Sequence, residues 1–274
     1  MKYFIFTTVC LSVLFQGKSG ITGNFDHSPY DSLLQKYVEK GMVNYKAIHK
    51  DQTLLLTYLR QLEQVDTVKF GTWPGDEQKT FWINAYNAIT IEGILRNYPI
   101  QPGGFFARKR FPWNSIRQIG GFWDTIFIKV MGKEISLDHI EHDILRKEFQ
   151  DPRIHFVLVC ASIGCPVLKN RAFTPEHIDE ELEQATYDFI NNPGKVRLDK
   201  ERNELYLSSI FDWYREDFPT SDEAHETFQN YSNKKRGIVA FATGYLPEDD
   251  QTYIISNRPK IRFLDYDWSL NEQH

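Results

Sequence analysis

The stretch that most constrains the fold of this chain lies at residues 153–160 and reads RIHFVLVC. Alternate side chains of a β-strand point to opposite faces, and here apolar residues occupy both sets of alternate positions. A short run that is apolar on both faces is typical of a strand covered on both sides, at the centre of a sheet. We therefore predict a buried central strand at 153–160.

Helical patterns flank this predicted strand, and no regular βαβ repeat organises them. Because no internal repeat and no linker rich in glycine, serine or proline divides the chain, residues 20–274 are predicted to form one α+β domain with a mixed sheet. Helices are predicted at 30–40, 52–64, 137–149, 174–191 and 210–218, and a further helix is predicted to start within 72–76 and to continue through 81–98 until Pro99 stops it. Hairpins are predicted at 122–137 and 196–207, and a strand pair at 253–268.

Residues 1–19 have the order of a secretory signal peptide. Lys2 precedes an apolar run, and the small residues Gly17 and Ser19 suit a cleavage site. The run is shorter than the ~20 residues that a membrane-spanning helix needs. We expect cleavage after Ser19 and an exported protein, periplasmic or extracellular, with no stable membrane span afterwards; a retained anchor is the alternative.

The charge of the chain argues against nucleic acid as a partner. Lys and Arg number 32 and Asp and Glu number 37, so the formal net charge is −5. No overall positive field is present to hold a phosphate backbone. A composition that is 41% hydrophobic and 25% charged is that of a globular protein.

Cys165 is the candidate nucleophile. It lies in the segment SIGCPVL, where Pro166 suits the first position of a helix, so the thiol would sit at a helix start that favours its thiolate. The alternatives are a buried, inert cysteine or a disulfide with Cys160, because these two cysteines remain once Cys10 leaves with the signal peptide.

His155 is the candidate base for Cys165. An imidazole that titrates near neutrality is the usual group that takes a proton from a thiol. On a regular strand His155 and Cys160 point to opposite faces, so we expect them not to meet, whereas the following loop can return Cys165 to either face. The alternative is a hydrogen-bonded histidine of the core.

Two further polar residues fall on apolar helix faces. Glu141 lies among Leu137, Ile144 and Leu145, so its carboxylate is predicted to be buried and hydrogen-bonded. Asn84 lies in the apolar face of the helix at 81–98. Either residue would orient the imidazole of His155, while the alternative is that Asn84 and its neighbour Asn87 tie down nearby backbone.

Motifs for nucleotide cofactors and metals are missing. The chain has no P-loop, no GxGxxG after a strand, no GxSxG, no HExxH and no CxxC. A zinc site built from Cys160, Cys165 and His155 would lack a fourth ligand. We therefore predict no cofactor and no metal.

Five blocks of the chain together resemble the family known as domain of unknown function 547, over nearly the whole length that follows the signal peptide. The family motifs correspond to the Asn84 to Asn87 helix segment, Ile140 to His142, His155 with Phe156, and Cys165 with Pro166. The resemblance implies that Cys165 is the important thiol and makes an obligatory disulfide less expected. The blocks are FWINAYNAITI (81–91), LDHIEHDILR (137–146), DPRIHFVLVCASIGCPVL (151–168), FDWYREDF (211–218) and DYDWSLN (265–271).

These residues lead to a hypothesis of an exported thiol enzyme, a hydrolase or acyl transferase. Cys165 would attack a carbonyl of an unknown small-molecule or peptide substrate, and His155 would act as base and then acid. Backbone N–H groups at the predicted helix start would hold the oxyanion. Two alternatives remain: a non-catalytic binding or scaffold domain, and a thiol-disulfide protein that uses Cys160 and Cys165.

Overall fold

A long buried helix is the centre of the fold. The computed structural model describes residues 25–273, and within them α5 (Gly75–Arg96) is buried at every residue from Thr80 to Leu95. A helix that is buried almost all round must be covered on every side, and α2 (Tyr45–Lys50), α3 (Thr53–Gln64) and the π-helix His139–Phe149 pack against it. This is the helix predicted to start within 72–76 and to stop before Pro99, and it begins at Gly75 and ends at Arg96.

Short helices and small sheets surround α5. The α+β class is confirmed, and the hairpin predicted at 122–137 turns at Gly132 as expected. The elements before α5 are α1 (Ser28–Tyr37), β1 (Val38–Glu39), β2 (Met42–Val43), α2 (Tyr45–Lys50), α3 (Thr53–Gln64) and α4 (Thr67–Phe70). After it come α6 (Phe105–Arg110), the 3₁₀ turn Ile116–Gln118, β3 (Ile128–Val130) and β4 (Lys133–Ile135), and then the π-helix.

The last third of the chain contains the largest sheet. β6 pairs antiparallel with β5 and parallel with β7, so the sheet is mixed, with order β5-β6-β7. The elements that follow the π-helix along the chain are the 3₁₀ helices Pro152–Phe156 and Pro175–His177, α7 (Ile178–Ile190), β5 (Val196–Asp199), β6 (Glu204–Leu207), α8 (Ser209–Trp213), the 3₁₀ turn Arg215–Asp217, α9 (Asp222–Thr227), α10 (Asn233–Gly244), α11 (Glu248–Asn257) and β7 (Lys260–Phe263).

The predicted central strand at 153–160 is wrong. Residues 152–156 form a 3₁₀ helix, and residues 157–160 have no regular structure, although the segment is buried as expected. Its backbone is paired with a side chain instead of with neighbouring strands. Asn87 donates from Nδ2 to the Val157 carbonyl oxygen at 3.0 Å and accepts from the Val159 N–H at 2.9 Å. Burial and backbone pairing are therefore both satisfied without a sheet.

The strand pair predicted at 253–268 is half wrong, because its first part belongs to α11 and only β7 is a strand. The predicted signal peptide at 1–19 lies outside the described residues. Within 25–273, no helix combines the length and the apolar character needed to cross a bilayer.

Candidate active site

Three of the four predicted site residues line one cavity, which has a volume of about 560 Å³. Cys165, His155 and Glu141 all line it, and Cys160 lines it as well. The π-helix contributes Glu141, and the 3₁₀ helix Pro152–Phe156 contributes His155. The other walls are largely aromatic, from Tyr86, Trp123, Trp213, Tyr214, Tyr266 and Trp268.

The two cysteines of the cavity are joined by a disulfide. Cys165 is 3% exposed and Cys160 is partly exposed. The prediction that Cys160 faces away is wrong, because the segment is not a strand and its side chains do not alternate. The predicted helix at Pro166 is also absent: residues 166–169 have no regular structure, so no helix dipole acts on Cys165.

Two hydrogen-bond donors point at the sulfur of Cys165 instead. The Cys160 N–H and the Tyr266 hydroxyl each donate to Sγ at 3.0 Å. The Tyr266 ring reaches this position because it lies against Gly164, where a Cβ atom would come within 2.6 Å of the ring. The Tyr266 hydroxyl also lies 3.3 Å from Cys160 Sγ, so it stands between the two sulfurs. Both donors occupy positions from which a hydrogen bond would stabilise a thiolate of Cys165.

The loop that carries Cys165 is held from two sides. Ile163 N–H donates to the Ser269 carbonyl and Gly164 N–H to the Asp267 carbonyl, both at 2.8 Å, which ties the loop to the C-terminal segment. On the reverse side, Lys195 Nζ donates to the carbonyl oxygens of Ile163 and Cys165 at 2.7 and 2.9 Å. Burial lowers the pKa of Lys195 to about 8.

His155 is held by an aspartate and an aromatic ring. Its Nε2 lies 2.6 Å from Asp217 Oδ2, and its ring stacks on Tyr214 with the centroids 4.0 Å apart. Arg146 donates two hydrogen bonds to the same carboxylate, from Nε at 2.5 Å and from Nη2 at 2.8 Å. Partial burial raises the pKa of Asp217, but the hydrogen bonds from His155 and Arg146 outweigh it and keep that pKa below its usual value.

Glu141 is buried and hydrogen-bonded, as the helical pattern predicts. It is 5% exposed, and its Oε2 accepts from the Tyr86 hydroxyl at 2.8 Å. Tyr214 also interacts with this carboxylate. Burial and the neighbouring Glu141 raise the pKa of both tyrosines, so the hydroxyls stay protonated and serve as donors.

Replacement of Glu141 by alanine is expected to lower the free energy of unfolding by about 2 kcal/mol, because buried tyrosine hydroxyls lose their acceptor. Glu141→Gln keeps an acceptor oxygen and should lose less than half as much. Urea unfolding of the two variants and of Tyr86→Phe measures this. Equal losses for Ala and Gln would contradict the hydrogen-bond explanation.

Asn84 is not in the cavity. Its Nδ2 donates to the Phe173 carbonyl at 2.9 Å, and its Oδ1 accepts from the Phe173 N–H at 3.0 Å. The side chain that forms a hydrogen bond with His155 is Asp217, where the sequence suggested Asn84 or Glu141. The polar residues of Asn84 to Asn87 therefore join α5 to three separate segments: Asn84 to Phe173, Tyr86 to Glu141, and Asn87 to 157–159.

Three site residues were missed by the sequence analysis: Tyr214, Asp217 and Tyr266. Each lies within FDWYREDF (211–218) or DYDWSLN (265–271), blocks that carry the family resemblance. That resemblance was the available signal, since nothing in the local pattern assigns these residues a role. Among residues 25–273, no group of three or more His, Cys, Asp or Glu side chains is arranged to hold a metal ion.

Comparison with known proteins identifies one family. Residues 70–190 match the family model described as "Protein of unknown function, DUF547". The match includes Glu141, His155, Cys160 and Cys165, whereas Asp217 and Tyr266 lie beyond it. No curated protein matches the chain, and no solved structure matches it.

Proposed function

We propose that this chain, which belongs to the DUF547 family through residues 70–190, is a cysteine-dependent hydrolase or acyl transferase that acts when its disulfide is reduced. One observation carries the proposal. Cys165, with two donors on its sulfur, and His155, backed by a carboxylate, line the same cavity. A nucleophile, a base and a group that orients the base form the arrangement of covalent acyl-transfer catalysts.

The first step of the proposal is reduction of the disulfide. A dithiol supplies two electrons and two protons, becomes a disulfide itself, and leaves Cys160 and Cys165 as thiols. We propose that the protein is exported, guided by the predicted signal peptide at 1–19. In an oxidising compartment the disulfide form is then the resting form, and a dithiol donor there activates the enzyme.

Acylation, the second step of the proposal, uses the two groups that face the cavity, Cys165 and His155. Asp217 holds Nε2 of His155, so Nδ1 takes the proton of the Cys165 thiol. The thiolate attacks the carbonyl carbon, and the tetrahedral intermediate collapses to a thioester as His155 returns the proton to the leaving alcohol or amine. Water or an acceptor then releases the acyl group. Once the Cys165 sulfur is bonded to the acyl carbon, the Tyr266 hydroxyl, which lies 3.0 Å from that sulfur, can donate to the oxyanion in place of the predicted helix-terminal N–H groups.

The test is acetylation by p-nitrophenyl acetate, with matched cysteine variants. Wild-type protein reduced with dithiothreitol and then desalted should release p-nitrophenolate at least ~100-fold faster than oxidised protein, because only the reduced form has a free nucleophile. Cys160→Ser should be active without reductant, and Cys165→Ser should be inactive in every condition. Mass spectrometry of the C160S peptide should locate the acetyl group on Cys165. Absence of acetylation in C160S would refute the proposal.

A second candidate function is thiol-disulfide exchange, which the bonded sulfurs and the partly exposed Cys160 favour. The same two variants separate the candidates. Exchange needs both thiols, so C160S and C165S would both be inactive in the reduction of a small disulfide. The acyl-transfer mechanism needs Cys165 alone.

A further inference from the structure

Residues 103–113, in the loop between α5 and β3 that includes the short helix α6, expose three aromatic side chains. Phe105, Phe106 and Trp113 are 65%, 84% and 72% exposed, within nine residues of each other along the chain. Phe105 and Phe106 are neighbours with their ring centroids 5.7 Å apart. Single exposed apolar residues are ordinary, but a cluster of exposed aromatic rings marks an interaction surface.

This loop is also strongly basic. No acidic residue occurs from Gly93 to Trp123, and Arg108, Lys109, Arg110 and Arg117 fall within that stretch, although the whole chain has a net charge of −5. None of these four cations forms a salt bridge with an acidic residue in the part of the chain that the structure describes. Lys109 Nζ lies 4.4 Å from the centroid of the Phe105 ring, so charge and aromatic surface are interleaved.

A buried glutamine holds the loop in this shape. Gln118 is 5% exposed, and its Oε1 accepts from the Gly103 N–H at 2.8 Å. Its Nε2 reaches the carbonyl oxygens of Ala107, Phe111 and Pro112 at 3.0 to 3.2 Å. The backbone that bears the exposed aromatic residues is therefore held in place by hydrogen bonds to the Gln118 side chain.

The loop borders the candidate active site. Arg110 and Phe111 line the cavity, and the Arg117 guanidinium lies 4.8 Å from the Phe111 ring and 5.1 Å from the Trp268 ring. A surface that binds to this loop therefore lies at the mouth of the cavity.

We propose that residues 103–113 dock the protein on a membrane surface that contains anionic phospholipid. Phe and Trp side chains insert at the boundary between headgroups and acyl chains, and Lys and Arg side chains are attracted to anionic headgroups. Arg108, Lys109 and Arg110 of this segment form no salt bridge in the described part of the chain, so they complement a negative surface, whereas a second copy of this chain would bring the same positive charges together. This interaction does not depend on the proposed acyl-transfer activity.

Co-sedimentation of the protein with vesicles tests the proposal. Protein is expected to bind vesicles of equal parts phosphatidylcholine and phosphatidylglycerol, to bind phosphatidylcholine vesicles weakly, and to dissociate in high salt. Lys109→Glu should weaken binding about 30-fold, because it reverses a charge at the surface. Phe106→Ser should weaken it about tenfold through lost apolar insertion. The matched controls are Val68→Ser, a 78% exposed apolar residue on α4, and Lys234→Glu, an exposed cation on α10.

Three outcomes would overturn the proposal. The first is no binding to the anionic vesicles at low salt. The second is binding that Phe106→Ser and Lys109→Glu leave unchanged, or that the controls reduce equally. The third is concentration-dependent self-association in sedimentation velocity that Phe106→Ser abolishes, without vesicle binding, which would make this face an interface between copies of the chain. Folding of each variant is checked by its thermal unfolding.

Discussion

Replacement of Asp217 by asparagine is expected to slow acetylation of Cys165 in the reduced protein by about 10²- to 10⁴-fold. The carboxylate holds Nε2 of His155 at 2.6 Å and stabilises the imidazolium that forms when Nδ1 takes the thiol proton. An amide presents no negative charge and can leave the imidazole in the wrong tautomer. The measurement is the pre-steady-state release of p-nitrophenolate by the C160S protein with and without the second change.

Asp217 is expected to remain a carboxylate over the pH range of the acetylation assay. Because its pKa lies below the ordinary 3.8, Asp217 stays ionised as the pH falls from 7 to 5. The stability that this lowered pKa contributes is complete above about pH 4 and is lost only as the pH falls further. The acetylation rate is thus expected to show no loss from protonation of Asp217 between pH 7 and 5, and urea unfolding is expected to show the loss of this stabilising contribution only below about pH 4.

Asp212→Asn is the matched control for D217N. Asp212 forms an ion pair with Arg215, three residues away, and both side chains are about one-third exposed. This change removes a carboxylate from the same part of the chain without a contact to His155, so the rate should stay within about twofold, as for most surface substitutions. A D217N protein that is folded and as fast as wild type would remove Asp217 from the mechanism.

Replacement of Asn87 by alanine is expected to lower the free energy of unfolding by about 2–4 kcal/mol. The side chain is 2% exposed and satisfies two buried backbone groups, the Val157 carbonyl and the Val159 N–H. Each group left without a partner costs about 1–3 kcal/mol. The same change should slow Cys165 acetylation, because residues 157–159 connect His155 to Cys160. Urea unfolding and the acetylation assay measure the two effects.

Asn97→Ala and Asn87→Asp are the controls for this prediction. Asn97 makes one hydrogen bond to Gly93 at the end of α5 and is partly exposed, so its loss should cost less than about 1 kcal/mol. Asn87→Asp keeps the acceptor for Val159 N–H and removes the donor to Val157. A loss in N87A no larger than that in N97A would show that water replaces the amide at 157–159.

The local sequence was sufficient for α1, α3, α5, α7, α8 and the π-helix, for the hairpin at Gly132 and for the burial of Glu141. It did not predict α2, α4, α6, α9 or α10 as helices, and it assigned part of α11 to a strand. The features that it predicted depend on side-chain spacing within one or two turns, or on one residue that permits a turn, and such information lies in a short window of sequence. The same kind of window predicted that residues 153–160 are buried. It did not determine their backbone conformation. An apolar run indicates that water is excluded from a segment, but it does not indicate which groups form hydrogen bonds with the backbone there.

The tertiary structure decided the partners at the candidate site. Asn87 pairs with the backbone of 157–159, Asp217 holds His155, and Tyr266 donates to Cys165 across 101 positions of the chain. The choice of Asp217 over Asn84 as the partner of His155 follows from where the 3₁₀ turn Arg215–Asp217 comes to rest against Arg146. The sequence by itself picked out Cys165, His155 and Glu141, which line the same cavity. Which of them meet depends on packing between distant segments, because a hydrogen bond is formed only where the whole fold brings its two atoms within about 3 Å.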